Sequence, residues 1–528
     1  MDPYTPLGLT DVGLLIYVKN ASFVLQRVSE SGILRQVGIV QDTTKFMTAV
    51  TTPEESESSN ETIGFGTYGY RTYVLSALTL IYILNFVDRG LLAVVGPDLV
   101  PELGLSDTQF GLLTGFGFAL LYTIVGIPLA RYADAAHRVW IMTVCVALWS
   151  VMTVLCGLAT EVTVGSVTIG AFWILLMCRV GVGIGEAGCT PPANSLIADY
   201  YAPRDRSQAL GVYSMGVTLG GMFANLIGGW VTDAFDWRTA FFVVGLPGVL
   251  VALVFKLTVK EPPRGYTDPK GAQKNEPVPL REAIRELMTK PAFWLMTAGA
   301  TIAAFCGYGI SSFQSIFLVR AHGITTGEAA IWINTPVALS AAIGTFATGW
   351  LATRLYKTHP GAIAWVPAAG LALSIPFYVF AFTTQTLLFA AIGLVIGGFV
   401  KYGYIAAQYT IGQGVVSMRV RAMATAVLLF IANLIGYGFG PLFIGLTSDI
   451  FFVSGAAELG VGAQELARND CHPRAIGALS ESLQDVCGAV YAQSLQSAMV
   501  IMAVLYAASS LFFLLTWRRL DKDMVDRN

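Results

Sequence analysis

The chain has 528 residues, of which 55% are hydrophobic and only 12% are charged. Soluble globular domains carry about 25% charged residues, so this composition excludes a large soluble protein. The formal net charge of −2, from 32 basic and 34 acidic residues, excludes the basic surface that a nucleic-acid partner requires. The composition predicts an all-α integral membrane protein that crosses the membrane several times.

Twelve apolar runs are long enough to cross the roughly 30 Å of bilayer hydrocarbon, which takes about 20 helical residues. They form two sets of six, which predicts two six-helix halves at 73–258 and 292–518. The predicted runs are 73–95, 108–130, 139–159, 169–199, 208–231, 239–258, 292–318, 328–353, 362–383, 386–410, 422–448 and 495–517.

The remaining segments read as connections and ends. Residues 1–72 hold scattered basic residues and a polar stretch of disordered type, and they are predicted to be an extension and linker. Met47 is a candidate alternative start within them. The segment 259–291 is a polar linker with a short amphipathic helix from Pro279 to Lys290, 449–494 is a long outer loop, and 519–528 is a tail.

The distribution of Lys and Arg predicts the topology. Most of these residues lie in the connections that follow even-numbered runs, in the linker and in the tail. Because cytoplasmic loops carry an excess of basic residues, both termini are expected in the cytoplasm, and a bacterial inner membrane is the expected location. The opposite connections offer only Arg238, Arg320, Arg468 and Arg474.

Five ionisable residues stand out because they lie well away from the ends of the apolar runs: Asp88, Arg89, Arg179, Glu186 and Lys401. A charge at the bilayer centre costs about 2.5–3.5 kcal/mol, so such residues are rare and usually functional. At 1.5 Å per residue, Asp88 and Arg179 reach similar depths, which permits an ion pair between them. That pair is either a static contact that docks helices or a proton-sensitive switch, and the functional interpretation is favoured because buried pairs add little stability.

The other buried charges leave two interpretations open. Arg179 and Glu186 are seven residues apart and share a helix face. Glu186 either exchanges a proton or accepts a hydrogen bond from a neighbouring helix. Lys401, followed by Tyr402, either contacts a polar head group or extends its ammonium group towards the membrane interface.

The sequence shows no metal-ligand spacing and no nucleophile and base arrangement. We therefore expect no enzyme activity, no cofactor and no metal site. Cys471 and Cys487 lie in the predicted outer loop. They form either a disulfide, which an oxidising compartment favours, or two free thiols, and the disulfide is the preferred interpretation.

The pattern of two six-helix halves resembles the major facilitator superfamily of transporters. The connection at 130–138 resembles the loop motif of that superfamily, with Asp134 and Arg138 at its charged positions, although Ala135 replaces the usual basic residue. The resemblance implies that Asp134 and Arg138 act as a conformational latch. The corresponding connection in the second half has Thr353 in place of the acidic residue.

Three segments are similar to the Spinster transporters: residues 85–89, residues 179–187 and residues 195–199. This resemblance implies alternating access and transport of an amphipathic anionic or zwitterionic lipid of the sphingolipid or lysophospholipid type, coupled to protons. Asp88 and Glu186 are the expected proton-coupling residues. The expected substrate contacts are Arg89, Arg179, Lys401, Phe86, Phe305 and Tyr402.

Two alternatives remain at this point. The first is a proton-coupled symporter of a small organic anion such as a sugar acid, which would need a small, sealed pocket. The second is a membrane receptor without flux, which the lack of a folded extramembrane domain disfavours. In the preferred interpretation the partners are a lipid or small amphipathic substrate, protons and the membrane, and the chain acts as a monomer.

Overall fold

The structure is a computed structural model that describes residues 64–267, 279–462, 466, 468–472 and 475–524. The predicted extension therefore lies almost wholly outside the described residues, together with Met47. The described part is helical apart from connections and one β-hairpin, in which Val162–Val164 pairs antiparallel with Val167–Ile169.

Twelve helices of the described part are long and apolar enough to cross a membrane, which confirms the predicted all-α membrane fold. Helices satisfy every backbone hydrogen bond internally, as a lipid environment demands. Spans 1 to 6 are Tyr68–Glu102, Asp107–Ala133, Arg138–Gly157, Ala171–Tyr200, Pro203–Ala234 and Trp237–Thr258. Spans 7 to 12 are Pro291–His322, Thr326–Tyr356, Ala362–Thr383, Leu387–Gly414, Arg421–Glu458 and Glu481–Asp523.

The main difference from the prediction concerns the last two spans. Span 11 continues to Glu458 and span 12 begins at Glu481, so the predicted outer loop 449–494 is much shorter than expected. The added helical turns carry polar residues and lie beyond the apolar run, and hydropathy alone therefore does not register them. The predicted linker helix appears as Leu280–Met288.

Local signals fix the outer ends of several spans. Ser106 accepts a hydrogen bond from the backbone N–H of Gln109 while the Gln109 side chain accepts one from the N–H of Ser106, which makes a capping box at the start of span 2. Thr325 and Glu328 form the same motif ahead of span 8. Gly323 ends span 7 at φ 68°, a left-handed conformation that favours glycine.

The fourth span of each half is broken. In span 4, Ala171–Ala187 and Thr190–Tyr200 are separated at Gly188 and Cys189. In span 10, Leu387–Lys401 and Tyr404–Gly414 are separated at Tyr402 and Gly403. Interrupted helices at corresponding positions of two repeats indicate where a membrane protein builds a binding site.

Spans 8 and 11 each contain a π-helical segment, at Ala329–Asn334 and Ala432–Tyr437. Such segments are rare and are frequently found at functional sites. Both segments end at a residue that lines the central cavity described below, Asn334 and Tyr437.

Polar contacts between the two halves concentrate at one end of the molecule, which is the outer end in the predicted topology. There, Asp107 of the first half accepts two hydrogen bonds of 2.8 Å from Arg320 of the second half. Arg468 lies 2.5 Å from Asp107 and is also paired with Asp449. Asp449 accepts a hydrogen bond of 2.8 Å from the backbone of Thr108. We call these five residues the outer clasp.

A second outer contact joins the first half to the start of span 8. Asp233 accepts a hydrogen bond of 2.9 Å from the N–H of Gly327 and another from the hydroxyl of Thr325. Asp98 accepts a hydrogen bond of 2.6 Å from the hydroxyl of Thr326. The outer ends are thus joined by charged and neutral hydrogen bonds.

The inner segments of the broken spans, Thr190–Tyr200 and Tyr404–Gly414, pack against helices of their own halves. An apolar cluster that includes Val74, Leu78 and Tyr213 likewise belongs to the inner part of the first half. The halves therefore meet at the outer end and separate towards the inner end, which corresponds to an inward-facing arrangement in the predicted topology.

Candidate functional site

A cavity of about 240 Å³ lies between the halves, with walls from spans 1, 2, 5, 7, 8, 9, 10 and 11. Its lining includes two cationic side chains, Arg89 from the first half and Lys401 from the second, and it includes no Asp or Glu of the described residues. Aromatic rings of Phe86, Tyr308 and Tyr402 also line it. The cavity therefore combines positive charge with apolar surface.

Arg89 connects this cavity to the interior of the first half. Its Nε donates to Glu186 Oε2 at 2.5 Å, and the Arg89 side chain is 17% exposed while that of Glu186 is fully buried. The guanidinium also lies 4.5 Å from the ring centroid of Tyr122 and 4.9 Å from that of Phe86. One guanidinium thus contacts both the cavity and a buried carboxylate.

Asp88 points into the first half, away from the cavity. Its Oδ1 accepts a hydrogen bond of 2.9 Å from Thr153 of span 3 and lies 4.0 Å from Nη1 of Arg179. The structure therefore places Asp88 and Arg179 next to each other at ion-pair distance. Each carboxylate, Asp88 and Glu186, is within electrostatic range of both Arg89 and Arg179.

Several polar atoms of this buried group have no hydrogen-bond partner among the described residues. They comprise all three guanidinium nitrogens of Arg179, Oδ2 of Asp88, Oε1 of Glu186 and the side-chain amide of Asn85. Leaving a buried polar group unsatisfied costs about 1–3 kcal/mol. Such an arrangement adds little to the stability of the fold. Its polar atoms can instead bind water or exchange hydrogen-bond partners.

A neutral hydrogen-bond network lines the cavity on the side of the second half. Gln314 donates to Asn334 at 2.6 Å, and Asn334 donates to Ser315 at 2.8 Å. Sequence reasoning missed these residues and also Tyr308 and Tyr437, because Ser, Asn, Gln and Tyr carry no charge that would single them out in an apolar run.

Four of the six expected substrate contacts line the cavity, namely Arg89, Lys401, Phe86 and Tyr402, and two do not. Arg179 is fully buried, and its guanidinium lies behind the cavity wall, 5.5 Å from the Phe118 ring centroid. Phe305 packs on Phe443 with ring centroids 5.5 Å apart. In this state neither side chain lines the cavity, and their predicted contact with substrate stays a prediction.

The predicted latch residue Arg138 lies at the inner end of the first half, where its side chain is buried. It donates to Asp199 of span 4 at 2.5 Å and to Glu261 of the linker at 2.6 Å. These bonds join the inner ends of spans 3 and 4 to the linker. The side chain of Asp134 lies outside what the structure describes, and the latch function remains a prediction.

The short connection between spans 11 and 12 is closed by a bond between Cys471 and Cys487, with an S–S distance of 1.99 Å. The other five cysteines are free and buried. We expect denatured, unreduced protein to titrate five thiols with a chromogenic disulfide reagent, and seven after reduction. Seven thiols before reduction would show that this pair is not oxidised in the isolated protein.

With this geometry in place, comparison with known proteins identifies the family. A model of the Major Facilitator Superfamily matches residues 78–451. The chain belongs to this superfamily. It is a multi-pass membrane transporter, and its relatives narrow the group further.

The chain is similar to an MFS-type efflux pump of Mycolicibacterium smegmatis, 30% identical over 383 residues, which cover 71% of this chain and 84% of the relative. It is also similar to human protein spinster homolog 1, 27% identical over 417 residues, which cover 72% of this chain and 74% of the relative. The match to the spinster homolog confirms the predicted Spinster resemblance.

Two crystal structures of a bacterial homolog of the human lysosomal transporter Spinster are similar to this chain. The inward-facing, unoccupied form has a TM-score of 0.80 and 42% identity, and it covers 88% of this chain and 100% of its own. The inward-facing, occupied form has a TM-score of 0.78 and 41% identity. The chain is thus a Spinster-like transporter.

Proposed function

We propose that this Spinster-like protein moves an amphipathic lipid of the sphingolipid or lysophospholipid type by alternating access, and that protons drive the movement. The observation that carries the proposal is the position of Arg89, which faces the cavity on one side and holds the buried carboxylate of Glu186 on the other. The acid group of a ligand and the carboxylate of Glu186 therefore compete for one guanidinium.

Competition for Arg89 gives a physical basis for coupling. When Glu186 is ionised, the ion pair occupies Arg89 and opposes binding of an anionic head group. When Glu186 takes up a proton, Arg89 is released to bind the ligand. Protonation and ligand binding then favour each other, and such reciprocal coupling between two sites is what coupled transport requires.

Asp88 and Arg179 form the second part of the proposed proton site. They lie behind Arg89, within electrostatic range of Glu186. A proton on Asp88 would weaken its hold on Arg179 and leave that guanidinium free to attract Glu186. The charges of the four side chains sum to zero when both acids are ionised, so each proton adds a positive charge beside the cavity.

The proposal places both termini in the cytoplasm. The basic side chains Arg204, Arg206, Arg354 and Arg421 stand at the ends of spans that share the face of the linker. The positive-inside rule assigns this face to the cytoplasm. The inward-facing cavity then opens to the cytoplasmic side.

A small organic anion is the second candidate substrate. The cavity volume of about 240 Å³ is below the roughly 300–1,000 Å³ of typical ligand pockets and favours a small ligand. A lipid is accommodated if only its head group occupies the cavity and its chain extends along the apolar surface towards the inner opening.

Flux measurements in proteoliposomes test the proposal. We expect an inwardly or outwardly directed pH gradient to drive accumulation of a lysophospholipid, measured by mass spectrometry, and Asp88→Asn to lose this dependence on the gradient. The exposed carboxylate of Glu458 offers a matched control, Glu458→Gln. Full gradient dependence in Asp88→Asn would exclude Asp88 as a coupling residue, and gradient-driven flux of a sugar acid but no lysolipid would favour the second candidate.

A further inference from the structure

Lys401 occupies a special place in span 10. It is the last residue of the helix Leu387–Lys401, directly before the break at Tyr402 and Gly403. Its side chain lines the central cavity and the residue is only 4% exposed. An ammonium group is thus held at the cavity wall with little access to water.

Three tyrosine rings surround this ammonium group. Its Nζ lies 4.7 Å from the ring centroid of Tyr402, 5.1 Å from that of Tyr378 and 5.7 Å from that of Tyr506. Cation–π attraction at these distances offsets part of the cost of removing the charge from water. It does not supply the opposite charge that a buried ammonium group normally has.

Lys401 differs in this respect from the other buried cations of the described part of the chain. Carboxylates lie within ion-pair distance of Arg138, Arg179, Arg320 and Arg468. Among the described residues no carboxylate lies within 4.0 Å of Lys401. Its charge is therefore free to attract a ligand.

The position of Lys401 at the end of a helix also has a structural interpretation, because a cation near a helix C-terminus interacts favourably with the helix dipole. That effect is small beside the cost of burying an unpaired charge. A structural role alone would thus be better served by an uncharged side chain, and the experiment below separates the two roles.

The other residues of the cavity wall also favour a negatively charged ligand. The lining contains no carboxylate among the described residues, and Arg89 faces the cavity from the opposite half. A quaternary ammonium group would enter a site that already holds two cations. A phosphate or carboxylate without a compensating cation would instead pair with Lys401 and accept hydrogen bonds from the neutral network of Gln314 and Asn334.

We propose that Lys401, in its cage of Tyr378, Tyr402 and Tyr506, is the charge-selecting residue of the cavity, so that ligands with a net negative head group bind in preference to zwitterionic ligands with the same acyl chain. This inference rests on the proposed function for the identity of the ligand. The inference goes beyond the proposed function because it names the charge of the preferred head group and the residue that selects for this charge.

Binding of a matched ligand series to the purified full chain tests the inference. The probes are oleoyl lysophosphatidic acid, oleoyl lysophosphatidylcholine and mono-oleoylglycerol, which share one chain and differ in head-group charge. We expect the anionic lipid to bind at least about tenfold more tightly than the zwitterionic one. In Lys401→Gln we expect most of this preference to be lost through weaker binding of the anionic lipid, with Arg89 as the remaining cation of the lining and the affinity for the zwitterionic lipid almost unchanged.

Two further variants complete the design. Lys401→Arg keeps the positive charge and should retain most of the preference, whereas Lys357→Gln removes an exposed lysine of the same half and should change nothing. Equal affinity of the wild-type protein for the anionic and zwitterionic lipids would overturn the inference. An equal loss of affinity for both lipids in Lys401→Gln would also overturn it, because that result is expected if Lys401 has only a structural role.

Binding of head-group compounds without an acyl chain distinguishes a failure of this inference from a failure of the proposed function. If no lysolipid binds, the lipid assignment fails, and the same variants are compared with glycerol phosphate and glycerophosphocholine. A preference for glycerol phosphate that is mostly lost in Lys401→Gln would uphold charge selection by Lys401. Equal binding of the two head groups, or binding of neither, would refute it.

Discussion

Replacing Glu186 by glutamine is expected to uncouple transport from the proton gradient. Glutamine keeps the size of the side chain and can still accept a hydrogen bond from Arg89, but it takes up no proton. Arg89 then remains available to a ligand at every pH. Because charged hydrogen bonds contribute about 1.5–3 kcal/mol, we expect gradient-driven accumulation to fall by roughly tenfold or more.

Counterflow in the same proteoliposomes separates uncoupling from misfolding. Exchange of labelled against unlabelled substrate needs binding and alternating access but no net proton movement, and it should persist in Glu186→Gln. The exposed substitution Glu458→Gln should leave both measurements unchanged. Accumulation at the wild-type level in Glu186→Gln would show that Glu186 does not carry the coupling proton.

Replacing Asp107 by asparagine is expected to shift the protein towards the outward-facing state. The fully buried Asp107 pairs with both Arg320 and Arg468 across the outer clasp. Without its carboxylate, two arginines face each other in a buried contact. Removing one partner from a buried ion pair costs about 3–5 kcal/mol, so the ratio of inward-facing to outward-facing molecules should fall by roughly a hundredfold or more.

Distances between spin labels at the outer ends measure this shift. The exposed residues Val167 and Leu459 lie on opposite halves, and labels introduced there through a non-canonical amino acid leave the native cysteines intact. We expect the outer distance to lengthen in Asp107→Asn and to stay unchanged in Asp485→Asn, a control at an exposed carboxylate. An unchanged distribution in Asp107→Asn would mean that the outer clasp does not hold the inward-facing state.

The disulfide contributes to the same contact. Arg468 and Cys471 begin and end one short helical turn, and the bond from Cys471 to Cys487 ties this turn to span 12. An apolar cluster with Phe452 and Val486 supports it. The double variant Cys471→Ser, Cys487→Ser should therefore shift the spin-label distances in the same direction as Asp107→Asn, but by less, because Arg320 still holds Asp107.

The sequence was sufficient to predict the spans because each one is an apolar run of the required length, and burial in lipid leaves hydropathy as the dominant signal. It also singled out Asp88, Arg89, Arg179, Glu186 and Lys401, since a charge in such a run is costly wherever it points. These inferences depend on composition along the chain, which is directly visible.

The pairing of these charges could not be predicted in the same way. Adjacent residues Asp88 and Arg89 point to different sides of span 1, and which one faces the cavity depends on how the helix is rotated in the bundle. The helix rise per residue places Asp88 and Arg179 at similar depths and so suggests their contact, but it gives no indication that Arg89 meets Glu186. Rotation is set by packing against neighbouring helices rather than by sequence spacing.

The outer clasp was missed for a related reason. Asp107, Arg320 and Asp449 lie just beyond the ends of the predicted apolar runs, where charged residues normally face water and need no explanation. Only the approach of the two halves makes Asp107 fully buried and gives it two arginine partners. The long outer segment likewise gave no sign that Arg468 would reach across to the first half.

The two π segments change the direction in which the side chains of their spans point around the helix axis. A π turn holds about one residue more than an α turn, and one residue corresponds to about 100° of rotation. Side chains on either side of Ala432–Tyr437 are therefore offset relative to a regular helix, and Asp449, which accepts a hydrogen bond from Thr108, follows that offset. The number of residues in span 11 is thus constrained by rotation as well as by the thickness of the bilayer.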